Sequence, residues 1–525
     1  MKILTAAEMR EIDRLTTEEL GLPGLLLMEN AGLQFLRALE QRYPRLKDER
    51  IVILCGKGNN GGDGMVVARQ LWMRGCPPRV VLLADPAALG GEARIQYDIL
   101  NKIGLEPYAI HDLNEWLAIR PDLLHSTLIV DAILGTGLNT PLEGFYLEIV
   151  SDLNSSFPQT PIVAVDMPSG LPSDTGDYLG EAVRACLTVT FTAPKVSQVF
   201  PPNQANVGEL VIAPIGTPPE LVERQPGLYL NLVTKGELAP FVAPRLASAH
   251  KGDFGHVLVV AVARGKTGAA ALAGEAALRS GAGLVTVATA ESALATVAAA
   301  MPELMTEPLA ETDAGSISAG ALDYERFRKI AEPKDVLALG PGLSQHPDTV
   351  AFVRRVVRDF RQPMVLDADA LNALAGSPEL LDGQDRKLVV TPHPGEMARL
   401  TGLSTADVQA RRVETARALA RAHGLYVVLK GYRSLVAEPG GQVYVNPTGN
   451  PGMATAGVGD VLTGMIAGFM AQFADRPLEA VLSAAVYLHG LAGDLAVAEI
   501  GEMPLTARDL IRAFPSALKK ISHEL

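Results

Sequence analysis

The 525-residue chain is short of cysteine, of positive charge and of long apolar runs. Its three cysteines, Cys55, Cys76 and Cys186, form no C-x-x-C pair. They read as buried thiols of a reducing compartment, not as a disulfide frame or a zinc site. Acidic residues outnumber basic ones by 59 to 46, for a formal charge of −13. That balance argues against nucleic acid or an anionic membrane as the main partner. A nucleotide stays open, because backbone amides bind phosphate inside an acidic protein. No apolar run approaches the ~18 residues of a membrane span. Residues 1–14 reach a charge by Glu8 with no long apolar stretch, so a signal peptide is not expected. The expected location is cytoplasmic. No internal repeat of short period is present.

Apolar strand-length runs and helical segments alternate through both halves of the chain. In the first half the runs are 51–55, 79–83, 127–130, 161–165, 187–191 and 210–212. In the second they are 256–262, 284–289, 336–339, 364–367, 388–391 and 426–429, followed by a hairpin signal at 434–445. This alternation is the mark of βαβ units and parallel sheets, hence an α/β protein of two domains. Residues 6–38 predict two amphipathic helices broken at Gly21-Leu22-Pro23-Gly24. The proline-punctuated stretch from about Gly216 to Lys251 reads as the junction. The expected division is a first domain over 1–222, a linker over 223–240 and a second domain over 241–525.

The most informative stretch is Asn450-Pro451-Gly452-Met453-Ala454-Thr455-Ala456-Gly457-Val458-Gly459-Asp460. Small residues here feed an apolar helix, which gathers backbone N–H groups around one point. That is an anion hole suited to a phosphoryl group. A carboxylate beside it repels phosphate unless it has a task, and taking a proton from an attacking hydroxyl is the task that fits Asp460. The plain alternative is a glycine turn with Asp460 as helix N-cap.

Other glycine-bearing loops follow strands. Gly56-Lys57-Gly58-Asn59-Asn60-Gly61-Gly62-Asp63-Gly64 holds a loose G-x-G-x-x-G, and its asparagine amides donate to phosphate and ribose while their carbonyls suit a hard cation. Asp131, ahead of Gly135-Thr136-Gly137-Leu138-Asn139-Thr140-Pro141, and Asp166, ahead of Pro168-Ser169-Gly170, stand at carboxyl ends of expected strands. That edge is where open α/β sheets bind ligands. Each aspartate could instead cap the next segment. In the second half, Gly340-Pro341-Gly342, Asp367-Ala368-Asp369, Pro392-His393-Pro394-Gly395-Glu396 and Lys430-Gly431-Tyr432-Arg433-Ser434 also follow strands. His393 is a sugar or ring contact, or a structural histidine between prolines. Lys430 neutralises phosphate or caps a strand, and Asp367 and Asp369 read as structural. Arg264-Gly265-Lys266-Thr267 is not a P-loop, since its first glycine would have to be Val260.

With these motifs in view, residues 1–220 resemble the NAD(P)H-hydrate epimerase domain. Residues 235–520 resemble the ribokinase-like fold, and more narrowly the NAD(P)H-hydrate dehydratase domain. The resemblance implies a Rossmann-like first domain in which Asn59, Asn60, Gly61, Gly62 and Asp63, the loop from Gly135 to Pro141, and Asp166 meet the hydrated dinucleotide. It implies potassium on Asn60, Asp131 and Ser169, with the proton moved by Asp131 or Asp166. In the second domain it implies hydrate contacts at Ala270, Gly342, His393 and Asp460, and adenine-nucleotide contacts at Lys430 to Ser434 and Gly459. It also implies ADP as co-substrate with magnesium. Ala456 and Val458 depart from the family's usual small polar and glycine residues, but the backbone N–H groups survive. The tandem order resembles bifunctional NAD(P)H-hydrate repair enzymes, which epimerise R and S hydrates and dehydrate the S form with ADP, giving AMP and phosphate. The expected partners are these small molecules, with the chain as a homo-oligomer. The alternatives are a vitamin or sugar kinase fused to a dinucleotide-binding domain, and a non-catalytic nucleotide-binding scaffold.

Overall fold

A computed structural model describes residues 1–138, 140–322 and 324–524, and divides into two compact units, Met1–Leu228 and Tyr229–Leu525. In the N-terminal unit, α1 (Ala6–Glu18) and α2 (Gly24–Arg42) fall where the amphipathic pattern puts them. α1 starts at a capping box in which Thr5 accepts from the Glu8 N–H and Glu8 accepts from the Thr5 N–H.

Seven parallel strands follow: β1 (Ile51–Cys55), β2 (Arg79–Leu82), β3 (Tyr108–Ala109), β4 (Leu128–Ala132), β5 (Ile162–Val165), β6 (Leu187–Phe191) and β7 (Glu209–Ala213). Their order in the sheet is β3-β2-β1-β4-β5-β6-β7. The order reverses direction between β1 and β4, so the loops leaving those strands diverge and open a crevice. The helix α3 (Asn59–Met73) begins just after β1. A Cβ on Gly61 would stand 1.9 Å from the Gly56 carbonyl oxygen, so the turn accepts only glycine there.

The C-terminal unit holds a ten-stranded sheet: β8 (Leu230–Leu232), β9 (His256–Val260), β10 (Leu284–Ala290), β11 (Met305–Leu309), β12 (Val336–Leu339), β13 (Met364–Leu366), β14 (Leu388–Val390), β15 (Tyr426–Leu429), β16 (Leu435–Ala437) and β17 (Val443–Val445). The order is β11-β10-β9-β12-β13-β14-β15-β16-β17-β8, and only β16 runs antiparallel to its neighbours. The reversal here lies between β9 and β12. The helix Val458–Gln472 packs on the alanine-rich helix Thr267–Arg279 backbone to backbone. A Cβ on Gly464 would meet the Ala273 carbonyl oxygen at 2.1 Å.

Two readings of the sequence change. The stretch 223–240, expected as linker, carries β8, which adds to the edge of the C-terminal sheet by pairing with β17. The expectation about apolar runs meets Leu478–Ile500, a 23-residue helix apolar enough to cross a membrane by length and composition. His489 and Asp494 interrupt its apolar run in sequence, and 72% of its most apolar window is buried inside the fold, as a core helix would be.

Expressing 1–228 and 229–525 separately should yield two folded pieces, each melting cooperatively by calorimetry. A second piece started at 241 loses β8 and uncovers β17, so it should melt lower. Equal melting of the two versions would show that β8 contributes nothing to that sheet.

Candidate active sites

The N-terminal crevice is built from the ends of β1, β4 and β5. Asn59 to Asp63 form the first turn of α3, whose N-cap, Gly58, offers no side chain to the free N–H groups. Both polar atoms of the Asn60 side chain are buried without a partner, and the side chain lies against Gly135. Asp131 is fully buried. It accepts from the Ser169 N–H (2.8 Å), the Ser169 hydroxyl (2.6 Å) and the Ile133 N–H (3.2 Å). Burial pushes its carboxyl up to about 6 against the pull of those bonds. Ser169 Oγ also accepts from the Leu134 N–H at 2.8 Å. One loop thus ties Asn60, Asp131 and Ser169 together. The orphaned Asn60 carbonyl and this all-oxygen donor set fit a hard monovalent cation. Among the described residues no three His, Cys, Asp or Glu side chains gather as a metal cluster.

Of the following loop, Gly135, Thr136, Gly137, Leu138, Thr140 and Pro141 run free of helix and strand. Thr136 is held through its carbonyl by the Ser173 hydroxyl at 2.9 Å. Asn139 lies outside the described residues.

Asp166 adopts a left-handed backbone, φ 60°. Its carboxylate takes the Lys195 ammonium at 2.6 Å and the Thr190 hydroxyl at 3.0 Å, while Gln198 donates to its carbonyl. Lys195, 1% exposed, escapes the motif reading. Its signal in the sequence is a lysine just past the apolar run of β6. Asp63 faces a cavity of about 400 Å³. Burial, with Asp166 and Asp13 adding to it, pushes its carboxyl well above the usual range.

In the C-terminal unit the helix Val458–Gln472 starts from Gly457, at φ 87°, with no side-chain cap. Its first N–H groups are therefore open to an anion. Asp460 is the third helical residue and not the N-cap. Burial pushes its carboxyl up to about 6, with Asp367 raising it further and Lys430 opposing. Lys430 donates to Asp367 Oδ1 at 2.7 Å and stands 3.7 Å from Glu396 Oε2. Burial alone would pull its ammonium down, but the two carboxylates outweigh that and hold it up. Asp367, 1% exposed, also accepts from the Thr463 hydroxyl at 2.7 Å. It is the anchor that fixes Lys430 beside Gly459, where an added Cβ would come within 3.4 Å of Lys430 Nζ.

His393 caps a helix and also lines a cavity. Its Nδ1 accepts from the N–H groups of Gly395 (3.0 Å) and Glu396 (3.3 Å), capping the helix Pro394–Thr401. That leaves the ring proton on Nε2, and burial pulls the ring below its ordinary value. The same side chain lines a cavity of about 760 Å³ with Lys430, Gly431, Tyr432, Ser434 and Gly459. The volume suits a nucleotide. His489, which the sequence reading missed, lies on this wall and bonds the Val458 carbonyl at 3.1 Å.

Besides Asp460, three sequence-predicted contacts are not on the wall of that cavity. The Arg433 guanidinium donates to the Pro447 carbonyl and fixes the loop. Ala270 is fully buried against neighbouring helices, so its side chain offers no surface. Gly342 lies beside Lys266, which pairs with Asp369 at 3.2 Å. The Asp369 charge adds a little to the upward push on the Asp460 carboxyl.

Comparison with known proteins accounts for both units. The model described as YjeF-related protein N-terminus matches residues 24–197, and the NAD(P)H-hydrate dehydratase model matches 257–516. The chain is 45% identical to the bifunctional NAD(P)H-hydrate repair enzyme of Moorella thermoacetica, over 100% of this chain and 98% of that one. It is 38% identical to the enzyme of the same name from Thermofilum pendens, over 100% and 97%. Among solved structures, the Bacillus subtilis ADP/ATP-dependent NAD(P)H-hydrate dehydratase co-crystallised with ATP and Mg2+ is 32% identical, covering 55% of this chain and 98% of that one, at a TM-score of 0.48. With relatives this similar matched along their whole length, the chain belongs to the family of bifunctional NAD(P)H-hydrate repair enzymes.

Proposed function

We propose that the N-terminal unit interconverts R and S hydrates of NAD(P)H, and that the C-terminal unit dehydrates the S form at the expense of ADP. The observation that carries the second half is Asp460, poised in the first turn of an uncapped helix next to Lys430. Adenine nucleotide occupies the 760 Å³ cavity, with its terminal phosphate at the Gly457–Gly459 turn and Lys430. Asp460 takes the proton of the hydrate C6 hydroxyl, whose oxygen attacks the terminal phosphorus as AMP leaves. The open helix N–H groups and Lys430 hold the charge that develops. The C6–O bond of the phosphate ester then breaks, pushed by the N1 lone pair. Loss of a C5 proton restores the ring double bond, releasing phosphate and NAD(P)H.

Magnesium, arriving with the nucleotide, would supply charge neutralisation on the phosphates. The carboxylates here fit an ion that brings most of its oxygens from phosphate and water, since no three-ligand cluster is present among the described residues. In the N-terminal unit Asn60, Asp131 and Ser169 would hold potassium, whose charge would complement their oxygens, while Ser169 itself ties Asp131 to the loop at Leu134. Asp166, ion-paired with Lys195, handles the proton.

Hydrated NADH mixed with ADP and magnesium should regain the reduced-nicotinamide absorbance. No recovery would overturn the assignment. Exchanging potassium for tetramethylammonium should slow epimerisation by about tenfold or more while leaving dehydration of pure S hydrate alone. Asn60→Ala should lose that response to potassium. A variant that responds like the parent would remove Asn60 from the cation site.

A further inference from the structure

Asp13 lies outside the motifs of the N-terminal unit and ahead of the residues its family model matches. α1 turns Met9, Ile12, Leu15 and Thr16 into the fold. Asp13, four residues after Met9, shares that inner face. Its Oδ1 is sealed from solvent and has no hydrogen-bond partner. A carboxylate oxygen left so carries an unmet desolvation cost unless it holds a proton or meets a ligand. The side chain lines the 400 Å³ cavity with Asn59 and Asp63. The charged groups around it are Asp166, Lys195, Asp63, Glu92 and, from α1 itself, Arg14 and Glu18.

We propose that Asp13 is a second proton-transfer residue of the epimerase, acting on the hydrate together with Asp166. This rests on the reading that the N-terminal unit epimerises hydrates. The reaction needs one base and one acid at the same time. In the opening direction the C6 hydroxyl gives its proton to Asp166, and the O–H pair becomes the second bond of a carbonyl. The C6–N1 bond breaks, and its electron pair on N1 takes a proton from Asp13. Rotation presents the other carbonyl face, and reclosure returns both protons. No net proton, electron or water is consumed.

The two environments divide the roles. Asp166 has its ammonium partner at 2.6 Å. Asp13 has none so close, and burial pushes its carboxyl up to about 6, with Lys195 opposing and Asp166 adding. An acid must be protonated to act, so epimerisation should fall as pH rises through that value.

The test uses the full chain without ADP, so that only R-to-S conversion is followed, by chromatography. Asp13→Asn should lower epimerisation turnover about 100-fold and remove the decline toward alkaline pH. Dehydration of pure S hydrate, with ADP added, should match the parent. Both tryptophans of the chain, Trp72 and Trp116, belong to the N-terminal unit. Their emission therefore reports whether that unit remains folded. A folded variant within about threefold of the parent overturns the proposal. If the variant melts early, the parent decides: a flat epimerisation profile between about pH 5 and 8 overturns it, and a declining one supports it. A parent chain that does not epimerise at all overturns the reading of the unit, and Asp13's role with it.

Discussion

Asp460→Asn should lower dehydration turnover by about 10²- to 10⁴-fold, the usual worth of a general base. The amide keeps the size of the carboxylate and loses only its capacity to accept the hydroxyl proton. ADP binding should survive, with KM within about threefold, because Asp460 is not part of the nucleotide cavity wall that Gly459 and Lys430 help to form. The ion pair of Lys430 with Asp367 at 2.7 Å is untouched, so the phosphate end of the site keeps its charge. The parent should show the pH dependence of a base. Its carboxyl is pushed up to about 6. Below that pH it is protonated and cannot accept, so turnover rises as pH climbs through 6 and then levels. The variant should lack this limb. Dehydration within a few-fold of the parent, or an unchanged acidic limb, would move the base to another residue, with Asp369 next in place.

Much of the architecture was legible because parallel strands buried on both faces are continuous apolar runs bounded by glycine loops. β12, β15 and β6 stand where their runs predict. The strands that escaped reading are edge or near-edge elements with weak patterns. β3 has two residues, β11 carries Glu307 and Pro308, and β8 hides among prolines. Edge strands need less apolar surface and tolerate proline, so composition gives little sign of them.

The site divides in the same way. Loops at strand ends advertise themselves by glycine, asparagine and aspartate, and those motifs were found. Lys195 and Asp367 matter through contacts made across the fold. Lys430 reaches Asp367 over 63 positions of sequence, and Lys195 reaches Asp166 over 29. No local spacing encodes such a pair. Asp367 read as structural because its partner is visible only once β13 and β15 are placed on the two sides of β14.

Asp166→Asn, given an R/S mixture of hydrates with ADP, should split one fast phase into two. The parent consumes the whole mixture, since its N-terminal unit converts R into the form its C-terminal unit uses. The variant keeps the shape of the side chain, and Lys195 keeps the Thr190 hydroxyl at 2.8 Å, so the unit should stay folded by tryptophan emission. What it loses is the base, about 10²- to 10⁴-fold in epimerisation. Consumption should stop when S is exhausted and continue only at the spontaneous rate. Adding the Asp460→Asn chain should then restore the missing amplitude. That chain cannot dehydrate but retains an intact epimerase unit, so two inactive halves on different molecules would complement through free hydrate. If Asp166→Asn alone clears the mixture as fast as the parent, pure R hydrate identifies the reason. Rapid loss of R without S appearing means that the C-terminal unit accepts both epimers. Appearance of S at the parent's rate means that Asp166 is dispensable and the proton moves elsewhere in the cavity.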